Sequence, residues 1–290
     1  MKILITGAGG QLAWELQRST PPGYRLSCLS RAELDITDRM AVAQCVAQLE
    51  PDAIINTAAY TAVDKAEADA DNAMAVNATG VAYLAQASEH HGSYLLHIST
   101  DFVFDGRVNQ PYSPADKVNP LSVYGFSKLA GERELASNMD SRWGLLRSSW
   151  VYSSQGTNFV KTMLRLMREK SVLRIVSDQM GTPTWANGLA EVCWSTVAAR
   201  LKGKFHWSDA GVASWYDFAV AIQWLALDKG LLRKEIPIIP IRTSDYPTPA
   251  LRPAFSVLDK TELLEALPSL NLRHWLLQLS DMLDELKDYK

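Results

Sequence analysis

The amino-acid sequence predicts an α/β protein with a doubly wound parallel sheet, followed by a smaller α+β part. Short apolar runs alternate with longer amphipathic segments through the first half of the chain. These runs lack the alternation of apolar and polar residues that marks half-exposed strands, and the first of them leads directly into a glycine-rich turn. Strands covered by helices on both faces have this uniformly apolar character.

The elements follow in order from these patterns. Buried strands are predicted at residues 2–6, 26–29, 53–56, 94–99 and 143–148, with helices between them. The pattern changes near residue 150, so we predict a cofactor-binding part at residues 1–150 and mainly a substrate-binding part at 151–290, with a chain that can cross between them. Helices are expected in the second part at 158–169, 187–201, 214–227 and 273–287.

Residues 236–253 contain five prolines, namely Pro237, Pro240, Pro247, Pro249 and Pro253. Proline lacks an amide hydrogen and fixes φ, so it interrupts helices and central strands. We therefore expect an ordered surface loop or the edge of a lid here.

Composition excludes several classes of protein. The net charge of −3 over 290 residues and the pI near 6.0 give no clustered positive charge for nucleic acid or an anionic membrane. Three cysteines, Cys28, Cys45 and Cys193, are odd in number and widely spaced, which favours neither disulfides nor a zinc site. No signal peptide or apolar span is recognised, so a cytoplasmic location is expected.

The glycine turn after the first strand predicts a dinucleotide site. It reads Thr6-Gly-Ala-Gly-Gly-Gln-Leu-Ala13 and precedes a helix. Glycines let the backbone approach a pyrophosphate, and the helix N-terminus supplies N–H groups and a positive dipole end. This context makes the first part a Rossmann-type unit, although a glycine cluster by itself is also compatible with a plain turn.

The end of the second strand indicates which nicotinamide cofactor binds. An acid at this position binds a ribose 2′-hydroxyl, and an arginine accommodates a 2′-phosphate. Here the chain has Ser30 and Arg31, which favours NADPH, with NADH as the alternative. The alternative role for Arg31 is a solvated loop residue, and Asp35 is a candidate for contact with the adenine region.

A candidate catalytic group combines two segments. The fourth strand ends at Ser99-Thr100-Asp101, and a probable helix carries Tyr124 and Lys128 at positions i and i+4, on one face. We expect Tyr124 to donate a proton, Thr100 to polarise a carbonyl, and Lys128 to lower the pKa of the phenol and hold the nicotinamide ribose. An isolated Tyr-x-x-x-Lys is more often a surface pair; the glycine turn and Thr100 favour catalysis.

These residues resemble the extended short-chain dehydrogenase/reductase family, and within it the reductases of nucleotide-activated 4-keto sugars. The resemblance covers essentially the whole chain. Its motifs lie at residues 7–12, 56–67, 99–106, 120–132, 147–152 and 246–253. It implies NADPH-dependent reduction of the 4-keto group of dTDP-4-dehydro-L-rhamnose to dTDP-L-rhamnose, the last step in making this activated sugar.

The resemblance also implies roles for individual residues. Together with the residues already named, the expected cofactor-binding set is Gly7, Gly10, Gln11, Leu12, Ser30, Arg31, Asp35, Ile36, Ala59, Tyr60, Thr61, Tyr124 and Lys128. Thr100, Asp101 and Trp150 are expected at the sugar nucleotide, with core packing as the alternative for Trp150. Ala13 stands where glycine is common.

Some relatives form a magnesium-bridged dimer through three glutamates. The equivalent positions here are Glu15, Asn187 and Glu285. Because loss of one carboxylate weakens a site for a hard cation, we predict no magnesium and leave a homodimer open.

Two other functions remain open at this point. A related nucleotide-sugar epimerase or dehydratase uses the same tyrosine and lysine but keeps its NAD bound through the cycle. A non-catalytic regulatory subunit similar to that of methionine adenosyltransferase works by association instead.

Overall fold

The computed structural model describes residues 1–288. Within them the chain forms twelve strands: β1 (Lys2–Thr6), β2 (Arg25–Leu29), β3 (Ala53–Asn56), β4 (Tyr94–Thr100), β5 (Trp143–Ser148), β6 (Val151–Tyr152), β7 (Leu173–Val176), β8 (Met180–Gly181), β9 (Thr184–Trp185), β10 (Gly203–His206), β11 (Ala213–Ser214) and β12 (Ile238–Ile241).

The same residues form eleven α-helices: α1 (Gln11–Arg18), α2 (Arg39–Leu49), α3 (Val63–Ala66), α4 (Ala70–Met74), α5 (Gly80–His91), α6 (Val123–Asn138), α7 (Phe159–Glu169), α8 (Ala186–Ala199), α9 (Trp215–Asp228), α10 (Thr261–Ala266) and α11 (Trp275–Asp288). A π-helical turn (Ala75–Thr79) joins α4 to α5, and short 3₁₀ turns occupy Asp101–Val103 and Thr243–Asp245.

The central sheet has six strands in the order β10-β5-β4-β3-β1-β2, and every neighbouring pair is parallel. The prediction of a doubly wound parallel sheet is therefore confirmed. The chain leaves β1 toward β2 on one side and returns to β3 on the other, so the order reverses between β1 and β3. Ligands of such sheets bind beyond the carboxyl ends of the strands at this reversal.

Apolar side chains cover both faces of the sheet. One core joins the sheet to α1 and α8, through residues such as Leu16 and Leu189. The other joins it to α2, α5 and α6, through residues such as Val46 and Leu84. A separate cluster around Phe218 holds α7, α9 and α11 together in the second half of the chain. Burial on both faces explains why the strands are apolar throughout.

The second half of the chain does not stay apart from the first. Strand β10 adds an edge to the central sheet beside β5, and α8 covers one face of that sheet. The division of the chain at residue 150 stays a prediction, but the chain does cross between the two parts, as expected. The last two residues of the predicted second part, 289 and 290, lie outside the described residues. Among residues 1–288, no helix has the length and apolar character needed to cross a membrane.

The predicted strands and helices agree with the structure to within two residues at each end. Two of these helices begin directly after capping side chains: Asn158 caps α7, and Ser214 forms a capping box with Asp217 at the start of α9.

The proline-rich stretch 236–253 departs from the expected loop. Four of its residues form β12, which pairs in parallel with β7 in a two-stranded sheet. Pro240 lies inside that strand, opposite Ile175. A two-stranded sheet consists only of edges, and an edge strand tolerates a residue without an amide hydrogen.

Candidate active site

The turn between β1 and α1 has the backbone geometry that an anion site requires. Gly7 and Gly9 have φ of +82° and +94°, a region that favours glycine. A side chain on Gly7 would lie 2.7 Å from the amide nitrogen of Ala58, whereas Gly9 has nothing within 4 Å. Gly10 caps α1 without a side-chain acceptor, so the first N–H groups of the helix remain available to an anion.

A cavity of about 540 Å³ lies at the reversal point of the sheet. The loops after β1, β2 and β3 line it, as the topology requires. Of the residues assigned to the cofactor from sequence, the cavity is lined by Gly7, Gly10, Gln11, Leu12, Arg31, Asp35, Ile36, Ala59, Tyr60 and Thr61. The backbone of this turn and the shape of the cavity fit a dinucleotide.

The structure places Ser30 and Arg31 differently. The Ser30 hydroxyl donates to Glu33 at 2.7 Å, and Ser30 is not among the residues that line the cavity. Arg31 lines the cavity, is 80% exposed, and its Nε lies 3.3 Å from an Asp35 oxygen. The guanidinium is thus placed at the mouth of the cavity with most of its donors toward solvent, where a 2′-phosphate can reach it.

Sequence reasoning missed one wall of this cavity. Val151 of β6 also lines the cavity, together with Gly156 and Thr157 from the segment between β6 and α7. This segment is held to the glycine turn because the Asn158 amide donates to Gln11 Oε1 at 2.8 Å. The run Ser-Ser-Gln-Gly-Thr at 153–157 is a turn signal, but no local pattern shows that it folds back over the first helix.

Tyr124 lies in the first turn of α6, which Ser122 caps by accepting from the Gly125 amide. Gly125 is required because a side chain there would lie 2.3 Å from the Phe102 carbonyl oxygen. Tyr124 is 9% exposed and its ring packs edge-on against Phe102. Helix α6 therefore begins directly against the turn that follows β4.

The groups of the chain itself raise the pKa of Tyr124 to about 12. Burial is the main cause and the charge of Asp101 adds to it, while the Thr100 hydroxyl acts in the opposite direction. The expectation that the protein lowers this pKa is therefore wrong for these groups alone. Tyr124 is held as a neutral phenol, which is the form that donates a proton.

Lys128 lies one turn after Tyr124 and is 2% exposed. Its Nζ donates to the Ile98 carbonyl at 2.7 Å and lies 3.5 Å from Nε2 of His97. Burial lowers the pKa of Lys128 to about 8, and the charge of Glu132 opposes this shift. The Lys128 ammonium is thus held against β4. The position of Tyr124 and Lys128 on one helix face therefore does not by itself direct the ammonium toward the phenol of Tyr124.

Thr100 ends β4 next to Tyr124 and Asp101 begins the 3₁₀ turn that follows, and both residues are buried. The Thr100 hydroxyl lies 3.1 Å from Asp101 Oδ1 and accepts from the Phe102 amide at 3.2 Å. Burial raises the pKa of Asp101 to about 6, against the hydroxyls of Ser256 and Thr100. The Thr100 hydroxyl is therefore placed beside Tyr124 at the carboxyl end of a central strand, where a carbonyl oxygen can meet both.

Trp150 packs in the second half of the chain, and its contact with the sugar stays a prediction. Its indole stacks on Trp215 with ring centres 3.6 Å apart and planes 6° from parallel, and it lies against Gly181. Its φ of +47° is unusual for a large side chain. The residue is half-buried, so it packs against the second-half core and still presents surface.

Trp215 also lines a second cavity, of about 490 Å³. Arg174 and Arg252 bring positive charge to it, and Phe159 and Tyr246 bring aromatic surface. Arg252 is tied to Asp64 at 2.8 Å, which joins the proline-rich stretch to α3. Sequence reasoning named residues 246–253 as a motif but assigned them no chemistry.

The three positions of the magnesium-bridged relatives do come together. The Arg18 guanidinium lies between two of them, 2.7 Å from Glu15 and 2.7 Å from Glu285. The Asn187 amide nitrogen faces Glu15 at 3.4 Å. The Arg18 guanidinium already pairs with these carboxylates, so the three residues do not fit a magnesium ion. That no magnesium binds stays a prediction.

Comparison with known proteins identifies the family. A family model described as the RmlD substrate binding domain matches residues 1–288. A dTDP-4-dehydrorhamnose reductase of Burkholderia thailandensis is 41% identical over 276 residues, covering 91% of this chain and 92% of that protein.

Two solved structures are closely similar. A dTDP-4-dehydrorhamnose reductase from Clostridium acetobutylicum has a TM-score of 0.93 and 39% identity, covering 99% of this chain and 100% of that one. The enzyme of the same name from Bacillus anthracis, solved in complex with NADP, has a TM-score of 0.92 and 34% identity, covering 98% and 99%. These similarities confirm the resemblance drawn from the sequence motifs.

Proposed function

The chain belongs to the RmlD substrate binding domain family, and from that premise we propose that it reduces dTDP-4-dehydro-L-rhamnose to dTDP-L-rhamnose with NADPH. One observation supports the proposal: Thr100 ends β4 beside Tyr124 in the first turn of α6, and Lys128 lies one turn further along that helix, at the same carboxyl edge of the sheet as the cofactor cavity. Relatives that match over nine-tenths of the chain carry the name of this reaction.

The residues divide the chemistry among them. NADPH, when bound, supplies a hydride to the carbonyl carbon of the sugar. Tyr124 gives its phenolic proton to the carbonyl oxygen, and the Thr100 hydroxyl donates a hydrogen bond to the same oxygen as negative charge develops. The Lys128 ammonium stabilises the phenolate that remains.

We propose that the glycine turn and the N-terminus of α1 hold the pyrophosphate of the cofactor. Arg31 is the candidate for the 2′-phosphate, with Asp35 beside it. Around the rest of the molecule we place six further lining residues, Gln11, Leu12, Ile36, Ala59, Tyr60 and Thr61.

We place the sugar between Thr100, Asp101 and Trp150, and the nucleotide in the second cavity. Trp150 stacks on Trp215, which lines the second cavity, so this pair of rings connects the proposed sugar site with the proposed nucleotide site. Aromatic surface and two arginines suit a nucleoside diphosphate, because bases stack on rings and guanidinium groups pair with phosphate.

The test is NADPH oxidation with dTDP-4-dehydro-L-rhamnose, run beside NADH. We expect turnover that Tyr124→Phe reduces by about 10²- to 10⁴-fold with little change in NADPH affinity. Tyr152→Phe is the matched control, because Tyr152 is buried and its hydroxyl makes no hydrogen bond within residues 1–288. It should keep normal turnover.

Two outcomes would overturn the proposal. Stoichiometric NAD retained through purification, with no consumption of added NADPH, would favour the epimerase. A protein without turnover that associates with a partner equally well with and without the Tyr124 hydroxyl would favour the regulatory subunit.

A further inference from the structure

A row of buried polar side chains runs beneath the catalytic helix and is not explained by the proposed reaction. It crosses β1, β3 and β4 and ends on α6. The Thr6 hydroxyl donates to Asn56 Oδ1 at 2.7 Å, Asn56 Nδ2 lies 3.1 Å from His97 Nδ1, and His97 Nε2 lies 3.5 Å from Lys128 Nζ. All four side chains are buried.

The row fixes which ring nitrogen of His97 carries the proton. Asn56 Oδ1 accepts from both the Thr6 hydroxyl and the Ala58 amide, so it must be the oxygen. The amide nitrogen then faces Nδ1 of His97, which accepts. Burial and the charge of Lys128 hold the pKa of His97 well below 6.5, so the ring is neutral and its one proton is on Nε2.

This tautomer creates a conflict with a charged lysine. The Nε2–H of His97 points at Lys128, and an ammonium has no lone pair to accept it. A neutral amine resolves the conflict, since it accepts from Nε2–H while one of its own hydrogens still bonds to the Ile98 carbonyl at 2.7 Å. The imidazole thus favours the form of Lys128 that has lost its proton.

We propose that His97 is a positioning residue that holds Lys128 Nζ beside the Ile98 carbonyl and sets the pH above which the lysine loses its proton and activity falls. The role rests on the proposed reductase function. This role explains why His97, whose pKa is too low for proton exchange near neutral pH, lies beside the catalytic lysine.

The other ionisable groups near Lys128 act differently. Glu132, one turn further along α6, favours the ammonium, but its carboxylate is bound by Arg147 of β5 at 2.7 Å. Asp101, after β4, acts on Tyr124. Tyr124 itself is neutral. Among the described residues, His97 is the ionisable side chain in polar contact with Nζ.

The protons balance over one turnover. The O–H bond of Tyr124 breaks as the new O–H bond of the sugar alcohol forms, and the phenolate regains its proton from water. The ammonium stabilises the phenolate in between. Because loss of the ammonium removes that stabilisation, kcat should fall as pH rises through the pKa of Lys128, about 8.

The first experiment is the pH profile of kcat for His97→Phe. Removing Nε2–H removes the preference for the neutral amine, so we expect the alkaline limb to move up by about one pH unit. His206→Phe is the matched control. His206 is equally buried, and its Nε2 lies 3.4 Å from an Arg147 nitrogen. This variant therefore also removes a buried imidazole beside a cation. The alkaline limb of the kcat profile of His206→Phe should stay where it is in the wild-type protein.

The second measurement uses the unaltered protein and does not depend on activity. Long-range ¹H–¹⁵N NMR should show His97 as a neutral ring with the proton on Nε2 from pH 6 to 8. A proton on Nδ1, or a folded His97→Phe variant with an unshifted limb, overturns the inference.

The two proposals fail separately. If the wild-type protein does not oxidise NADPH, the reductase function falls and the NMR result still decides the tautomer. If His97→Phe does not fold, the same NMR result decides the inference alone.

Discussion

Replacement of Glu132 by Gln removes one charge from a fully buried ion pair between α6 and β5. Arg147 donates to the two carboxylate oxygens of Glu132 at 2.9 and 2.7 Å, and the Ser99 hydroxyl donates at 2.6 Å. The side chains of Arg147 and Glu132 are 1% and 0% exposed. The variant therefore leaves a guanidinium in the interior without its counter-charge.

The magnitude follows from that burial. Removing one partner of a buried ion pair costs about 3–5 kcal/mol, because the remaining charge is neither solvated nor neutralised. The control is Glu169→Gln. Glu169 pairs with Arg165 at the same distance, 2.7 Å, but the two side chains are 49% and 59% exposed. Exposed helix pairs contribute only about 0.3–0.5 kcal/mol.

The assay is urea unfolding of both variants and of a double variant, Glu132→Met with Arg147→Met. We expect a large fall in the midpoint for Glu132→Gln, almost none for Glu169→Gln, and recovery of much of the loss in the double variant, since no charge is then left unpaired. Equal, small shifts for Glu132→Gln and Glu169→Gln would refute the reasoning, because burial is the difference between the two pairs.

Three further predictions concern the cofactor, pH and metal. Arg31→Ala should raise the KM for NADPH about tenfold or more and leave that for NADH unchanged, since a hydrogen bond to a charged group contributes about 1.5–3 kcal/mol; equal losses for both cofactors would rule out the 2′-phosphate contact. Burial raises the pKa of Asp209 to about 7 from 3.8. Its neutral form stabilises the fold below about pH 4, and this contribution is lost as pH rises to about 7; Asp209→Asn should flatten that part of the pH–stability curve, and an unchanged slope would contradict it. Because Arg18 pairs with Glu15 and Glu285, EDTA should change neither the unfolding midpoint nor the oligomeric state, and a fall in either would indicate a bound metal.

The sequence predicts the sheet well because its signals are local. Five apolar runs become the first five strands of the central sheet, and the glycine turn lies where its context after β1 indicates. Tyr124 and Lys128 are four residues apart on α6, so their shared face also follows from spacing. Each of these features depends on neighbours within a few residues.

Features formed by distant segments are not visible in this way. The wall of the cavity at 151–157 depends on Asn158 reaching Gln11, 147 positions away. Strand β12 forms in spite of Pro240 because β7 offers it an edge. The pKa of Tyr124 rises because the segments around it exclude water and bring Asp101 near, and the spacing of a tyrosine and a lysine contains none of that information.

Strand β4 fixes the positions of the side chains on α6. Tyr124, Lys128 and Glu132 follow one another at intervals of four residues on α6, and each lies beside a different group from β4: Thr100, His97 and Ser99. A helix face presents positions i, i+4 and i+8 in a row, and a strand directed across it can meet each of them with its own side chain. Tyr124 and Lys128 are therefore fixed by the same packing that buries the ion pair of Glu132 and Arg147. A change that loosens the pair should disturb the position of Lys128 before it disturbs the cofactor turn, which is built on the other side of the sheet's reversal point.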